Sequence, residues 1–302
     1  AFDLARETID QAIADGHRRG SSFARAGALG CRSVLAINEG RLLDAEADAR
    51  ASAEGGIPPI MVPVNASFQV RALSEQGRLD DAEQVMREAG IEHGPGGPTV
   101  LRWIPWGRAI LHEARGDIDA VRVDVAPLEE DDRAGRSMKA LSWRALLART
   151  LSRSGHSSEA EGLAAEHLEW AKWWGRPGAL GIARRAAALA GPDDARVEGL
   201  EEAVETLASS SLAAEHARAL KDLGVSQLRS GRKADGKATL GLAVEAAVAC
   251  GARGTANAAN AELEVAGAAP RRLGFDELTA SERRVAGFAA EGRTNREIAE
   301  EL

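Results

Sequence analysis

Residues 231–239 read GRKADGKAT, which is close to a nucleotide-binding motif. The phosphate-binding loop has the form G-x-x-x-x-G-K-[ST], in which the lysine contacts the phosphates and the next hydroxyl binds Mg²⁺. Here Lys237 is followed by Ala238, so the hydroxyl is displaced to Thr239, and no strand pattern precedes the glycine. The segment therefore predicts a turn between two helices, and we expect no ATP site and no cofactor.

Three tryptophans fall within the short segment EWAKWWG. Bulky aromatic side chains in a helical protein usually pack between helices. Trp170, Trp173 and Trp174 do not all fit one narrow core stripe, so we expect at least one of them to be exposed. We interpret the three as candidates for an effector surface that binds by stacking, with packing between helices as the alternative.

The other reactive side chains form no catalytic or metal-binding pattern. The six histidines lack H-x-x-x-H spacing and are expected at the surface or in turns. The acidic run from Glu129 to Asp132 is expected to be a solvated loop, because a metal site would need converging ligands from elsewhere. There is no G-x-S-x-G motif. The sequence therefore does not favour an enzyme.

The segment from Leu278 to Leu302 carries the most specific pattern in the chain. Its sequence, LTASERRVAGFAAEGRTNREIAEEL, predicts two short helices that start with T-x-x-E capping boxes at Thr279 and Thr294. Gly292 lies between them, where a left-handed residue can end the first helix. Two helices joined by a tight glycine turn are the beginning of a helix-turn-helix.

The spaced residues of this segment resemble the start of the LuxR-type DNA-binding domain. The resemblance implies a recognition helix beyond Leu302 that reads base edges, so we expect the chain to be a fragment of a larger regulator. Thr294, Asn295 and Arg296 would contact DNA phosphates from the N-terminus of the scaffold helix. The matching positions are Leu278, Thr279, Glu282, Val285, Ala290, Gly292, Thr294, Asn295, Glu297, Ile298, Ala299 and Leu302.

The rest of the chain contains an internal repeat. A turn of the form G-x-x-x-x-A recurs as GRLLDA, GRLDDA and GHSSEA, with looser copies, and each copy lies between two helical stretches. The pattern predicts stacked helix pairs and resembles tetratricopeptide (TPR) repeats, although its period is longer and less regular than about 34 residues. The glycines of this ladder are Gly40, Gly77, Gly116, Gly155, Gly191 and Gly231.

The predicted fold class is therefore all-α. A TPR-like α-solenoid of helix pairs is expected over residues 1–265, a linker over 266–275 and the first part of the helix-turn-helix over 276–302. Within the solenoid, residues 254–266 are expected to form a lone final helix that caps the stack. The alternative is an irregular helical bundle.

Composition restricts the compartment and the partners. The 302 residues are 44% hydrophobic and 28% charged, and no apolar run approaches the roughly 18 residues of a membrane span. Cys31 and Cys250 suggest no disulfide framework. We expect a cytoplasmic protein with no membrane partner. The net charge of −8 argues against nucleic-acid binding by the solenoid itself.

A solenoid followed by a LuxR-type segment resembles the C-terminal portion of the large ATP-binding LuxR-family regulators. The resemblance implies a transcription regulator whose solenoid senses a small-molecule or protein effector and controls DNA binding. Self-association into a homo-oligomer is a further possibility. The alternative reading is a TPR-like interaction scaffold without DNA binding, in which the C-terminal hairpin packs as one more repeat.

Overall fold

The computed structural model describes residues 2–54, 57, 59–93, 99–136, 141–271, 284–285, 288, 293 and 297–299. Within these ranges the chain is all-α and has no strand. Short 3-10 helices occur at Pro59–Met61 and Thr99–Arg102. The α helices are α1 (Phe2–Arg18), α2 (Ser22–Glu39), α3 (Leu42–Glu54), α4 (Val62–Glu75), α5 (Leu79–Glu88), α6 (Trp103–Arg115), α7 (Ile118–Arg133), α8 (Trp143–Arg153), α9 (Ser157–Trp174), α10 (Pro177–Ala190), α11 (Asp193–Ala208), α12 (Ala213–Arg229), α13 (Lys233–Ala249) and α14 (Arg253–Val265).

Every glycine of the predicted ladder lies in the turn inside a helix pair. The pairs are α2/α3, α4/α5, α6/α7, α8/α9, α10/α11 and α12/α13, and neighbouring helices along the chain pack against each other. Five of the six glycines have φ between 75° and 85°, a region that glycine enters without steric cost. Gly191 differs, with φ −76° and extended ψ after α10. The predicted solenoid of helix pairs is confirmed.

Small residues allow the helices of a pair to approach closely. A Cβ placed on Gly224 of α12 would lie 2.7 Å from Leu240 Cγ, and one on Gly236 of α13 would lie 2.7 Å from Leu228 Cγ. The buried core is accordingly rich in alanine and leucine. Close packing of small side chains, rather than burial of large ones, holds neighbouring helices together.

The first and last helix pairs also contact each other. A Cβ on Gly40 would lie 2.6 Å from Ala213 Cβ, and the Gly254 N–H donates a 3.2 Å hydrogen bond to the Gln76 carbonyl. An apolar cluster joins α2–α4 to α12–α14. The predicted final helix is present as α14, which packs on α13, and its first turn also contacts the α4/α5 turn.

The C-terminal segment is anchored on the solenoid by at least one of its described residues. Arg284 Nη1 lies 2.9 Å from Asp48 Oδ1 in α3. Ile298 is buried at 5% exposure, whereas Val285 and Ala299 are exposed. The described apolar residues of this segment are therefore only partly buried. No helix of the described part is both long enough and apolar enough to span a bilayer.

Candidate functional site

A cleft of about 150 Å³ lies where three helix ends meet. Because the ladder glycines mark one edge of the stack, the end of α7, the start of α8 and the end of α9 all lie at the opposite edge. These ends bring together acidic, basic and aromatic side chains that are far apart in sequence. The cleft is lined by Asp132, Leu141, Trp143, Arg144, Glu166, His167 and Trp170.

Ion pairs fix the polar wall of this aromatic cleft. Trp143 Nε1 donates a 3.1 Å hydrogen bond to Asp132 Oδ2, and Arg144 forms an ion pair with the same carboxylate. Arg144 Nε also lies 3.2 Å from Glu166 Oε2, and its guanidinium stands 4.3 Å above the Trp143 ring. Since Trp143 is only 4% exposed, these contacts hold the wall in one arrangement before any ligand binds.

Stacked rings form the other wall and lead to the surface. The Trp170 ring lies 5.4 Å from His167 with an interplanar angle of 27°, and 4.9 Å from Trp174 at 39°. Trp174 is 43% exposed and Trp173 is 81% exposed. The structure thus places Trp170 in the cleft with Trp174 against it, and leaves Trp173 exposed outside the cleft lining.

The acidic run Glu129–Asp132 was wrongly predicted to be a solvated loop. These residues belong to α7, and Asp131 is 2% exposed. Arg102 Nε, 2.7 Å from Asp131 Oδ2, and Arg136 stabilise the ionised form and lower the pKa of Asp131. Arginines from outside the helix permit this burial, and the local sequence gives no sign of them.

Two histidines likewise depart from the prediction of surface or turn positions. His167 is 4% exposed and packs on Trp170. His112 Nδ1 lies 2.8 Å from Asp124 Oδ2, and Arg108 Nε lies 2.7 Å from the other oxygen of that buried carboxylate. A histidine spaced three residues before Trp170 is the one sequence signal that fits the observed stack.

A second polar cluster lies on the first helices of the pairs. Arg185 Nε is 2.7 Å from Asp222 Oδ2, and Arg185 Nη1 is 2.9 Å from Glu215 Oε2. Glu215 Oε1 lies 2.6 Å from Arg218 Nη1, and Arg218 also forms an ion pair with Glu75. The chain of contacts therefore links α10 and α12 to α4, and so joins the last helix pair to the second one.

The same cluster continues on α6 and α8. Glu113 accepts hydrogen bonds from Arg149 Nε and Nη2 at 3.1 and 3.2 Å. We call the buried and half-buried members of this set the inner charge network, and each of them comes from the first helix of a pair. Arg153, which also pairs with Glu113, is 59% exposed and is not counted in it. Its members are Arg71, Glu75, Glu113, Arg149, Arg185, Glu215, Arg218, Lys221 and Asp222.

Burial and charge act in opposite directions on this network. Burial opposes ionisation of Asp222, but Arg185 and Lys221 more than offset it and hold the pKa of that carboxyl well below its usual range. Burial likewise opposes the charge of Arg185, yet Asp222 and Glu215 hold its pKa above the usual value. Arg71 and Arg218 lack enough compensation, and burial lowers the pKa of each to about 10.

Residues 233–239 do not form a phosphate-binding loop. They lie inside α13, where Gly236 is buried against Leu228 of α12, so the glycine serves helix packing. The prediction of a turn between repeats at Gly231 is confirmed. Among the described residues, no group of three or more histidine, cysteine, aspartate or glutamate side chains is placed to hold a metal ion.

The predicted DNA-contacting residues Thr294, Asn295 and Arg296 lie outside the described residues. Comparison with protein-family models finds no match, and a search of the curated proteins finds none either. The LuxR-type resemblance of the C-terminal segment therefore stays a prediction.

Proposed function

We propose that this chain is the effector-sensing portion of a DNA-binding transcription regulator, in which the α-solenoid controls a LuxR-type DNA-binding domain. The pattern of residues 278–302 supports the DNA-binding part of the proposal. The contact between Arg284 and Asp48 supports the proposal that the solenoid controls DNA binding, because it joins the LuxR-like segment to α3 of the solenoid.

The Asp48 carboxylate suits a contact that can be released. It is buried at 1% exposure and accepts from Arg32 Nε and Nη2 at 2.8 and 2.9 Å. Arg284 is a second guanidinium on the same oxygen that Arg32 Nη2 contacts. If Arg284 leaves, Asp48 keeps its two-point pair with Arg32 and is not stranded as a buried unpaired charge. Docking and release of the C-terminal segment would then differ by a modest free energy.

The aromatic cleft is the place we assign to a small-molecule or protein effector. Its fixed polar wall and the Trp170 stack would bind a flat group, while the exposed Trp173 and Trp174 would extend the contact to a larger partner. The proposal includes no cofactor, no catalytic activity and no membrane partner. It includes a cytoplasmic location and is compatible with self-association into a homo-oligomer.

The DNA part is tested by selecting sites from random duplex DNA with a chain extended by the remaining helices of a LuxR-type domain. We expect specific binding that weakens with salt, as phosphate contacts require. Arg284→Gln should strengthen binding several-fold because it releases the segment. Arg232→Gln, which removes an exposed arginine in the α12/α13 turn, is the matched control. Failure to select any site would reject the regulator.

An interaction scaffold without DNA binding is the second candidate. The burial of Ile298 and the Arg284 contact also fit a C-terminal hairpin that packs as one more repeat. On this reading Arg284→Gln would weaken the fold of the segment and give no DNA binding under any condition. The DNA selection therefore separates the two candidates.

A further inference from the structure

Arg71 differs from the other cations of the inner charge network. It lies on α4, one turn before Glu75, and its Nη2 donates a 3.3 Å hydrogen bond to Asn38 Oδ1 of α2. Its Nε is fully buried and has no hydrogen-bond partner. Among the described residues it forms no ion pair of 4.0 Å or less. A guanidinium stays protonated at neutral pH even with a lowered pKa, so Arg71 is a half-buried charge held by one neutral amide.

The remaining cations of the network are all paired. Arg149 is paired with Glu113, Arg185 with Asp222 and Glu215, and Arg218 with Glu75 and Glu215. Lys221 Nζ lies 2.8 Å from Asp222 Oδ1. Glu215 attracts Arg71 at longer range, but its two oxygens are already bound by Arg185 and Arg218. Among the buried and half-buried members, five cations face four carboxylates, which leaves one surplus positive charge. Arg153 also pairs with Glu113, but it is 59% exposed, so solvent screens its charge.

The surplus charge lies next to a second arginine. The charge of Arg71 is close enough to Arg218 to lower the pKa of that guanidinium, in addition to the effect of burial. Side chains beside them keep partial access to solvent, with Glu215 20%, Arg218 21% and Lys221 27% exposed. The network around Arg71 therefore has two adjacent guanidiniums, and the Arg71 side chain itself keeps partial access to solvent.

We infer that the part of the inner charge network around Arg71 is the binding site of a small molecule that carries a single carboxylate, held by the guanidinium of Arg71 with Arg218 beside it. A carboxylate matches the planar fork of an arginine with two parallel hydrogen bonds. One negative charge cancels the surplus of the network, whereas a doubly charged phosphate would reverse it. The inference goes beyond the proposed function, because this site is distinct from the aromatic cleft that we assign to the effector.

The proposal also predicts that Arg71 lowers the stability of the unliganded protein. A half-buried charge without a carboxylate partner is costly, and replacing such a group with an apolar side chain is expected to stabilise a fold. Residues that lower stability and are not repaired by their surroundings are typical of binding sites. The same substitution at a fully paired arginine is expected to lower stability, because it leaves carboxylates buried and unpaired.

The test compares Arg71→Met with Arg185→Met in the ligand-free chain. We expect a higher Tm for Arg71→Met and a lower Tm for Arg185→Met, because the latter leaves Asp222 with Lys221 as its remaining ion-pair partner. Arg71→Gln, which keeps an amide next to Asn38, serves as a second variant in case the methionine packs poorly. A lower Tm for both Arg71 variants would overturn the inference.

Binding is tested with acetate as the probe, at constant ionic strength, with acetamide and inorganic phosphate as comparisons. Acetate should raise the Tm of the unmodified chain by a few degrees in a saturable manner, and Arg71→Met should abolish that rise. Acetamide should have no effect. An equal effect of acetate on Arg71→Met, or a larger effect of phosphate than of acetate, would overturn the carboxylate site. No DNA is present, so failure here leaves the regulator proposal to the DNA selection.

Discussion

The backbone N–H of Gly254, in the first turn of α14, donates a 3.2 Å hydrogen bond to the carbonyl oxygen of Gln76 at the end of α4. The adjacent Gly77 approaches so closely that a Cβ on it would lie 2.7 Å from Gly254 Cα. This backbone contact joins the second helix pair to the last helix of the described stack. The contribution of this contact to stability can therefore be measured by adding a single methyl group at Gly77.

Gly77→Ala should destabilise the protein more than Gly155→Ala. Both glycines have φ near 80°, so alanine at either position should carry backbone strain of about 1–2 kcal/mol. Gly155 has open space around it, whereas at Gly77 the methyl group meets Gly254 and should cost about 1–3 kcal/mol more. Urea unfolding of both variants gives the comparison. Equal losses would mean that the contact between the ends contributes nothing.

Asp222→Asn should destabilise the fold by about 3 kcal/mol at pH 7, because it breaks a buried ion pair. The folded pKa of Asp222 is depressed, since Arg185 and Lys221 more than offset burial. Its stabilisation is therefore complete above the unfolded pKa of about 3.9 and is lost as pH falls from there through the folded pKa. The difference between the two proteins should be constant above about pH 5 and shrink below about pH 4. Unfolding free energies across that range check the sign, and a difference that grows on acidification would contradict it.

Trp143→Phe should cost about 2 kcal/mol, because the buried ring loses its hydrogen bond to the Asp132 carboxylate. Trp173→Ala should change stability by less than about 0.5 kcal/mol, because the side chain is 81% exposed. Thermal or urea unfolding distinguishes the two. A large loss from Trp173→Ala would show that this indole packs in the fold and would remove it from the proposed effector surface.

Arg284→Gln should speed chymotryptic cleavage on the C-terminal side of residue 271 several-fold, because it removes the ion pair with Asp48. The Tm of the solenoid should be unchanged, since Arg32 still pairs with Asp48. Arg232→Gln should leave the cleavage rate as it is. If Arg284→Gln cleaves no faster than the unmodified chain, the ion pair does not anchor the segment.

The helix pairs could be predicted because their signals are local. A ladder glycine has to end one helix and let the next begin a few residues later, and positive φ at Gly40 and Gly155 follows from that geometry. The same argument correctly assigned Gly231 to a turn, because the segment lacked the strand that a phosphate-binding loop needs. Composition added the all-α class but gave no information on how the two ends of the stack are arranged.

The candidate sites could be predicted only in part because their contacts are non-local. Exposure near Trp173 followed from the crowding of three indoles, but the Asp132 wall of the cleft depends on how α7 lies against α8. Asp131 is buried because Arg102 reaches it from a preceding 3-10 helix, and its local acidic context points instead to solvent. The unpaired state of Arg71 likewise depends on neighbours that the order of residues along the chain does not reveal.

The inner charge network also bears on misfolding, in which a helix packs against the wrong neighbour. Alanine-rich helices with small contact residues fit many neighbours almost equally well, so apolar packing discriminates poorly between the correct order of pairs and a slipped one. The ion pairs of Glu113 with Arg149 and of Arg185 with Asp222 each join a helix to one particular later helix. A stack displaced by one pair would bury these charges without partners, at several kcal/mol for each. We therefore expect charge complementarity to determine which helix pairs become neighbours during folding. A core of repeated small apolar residues cannot make that distinction.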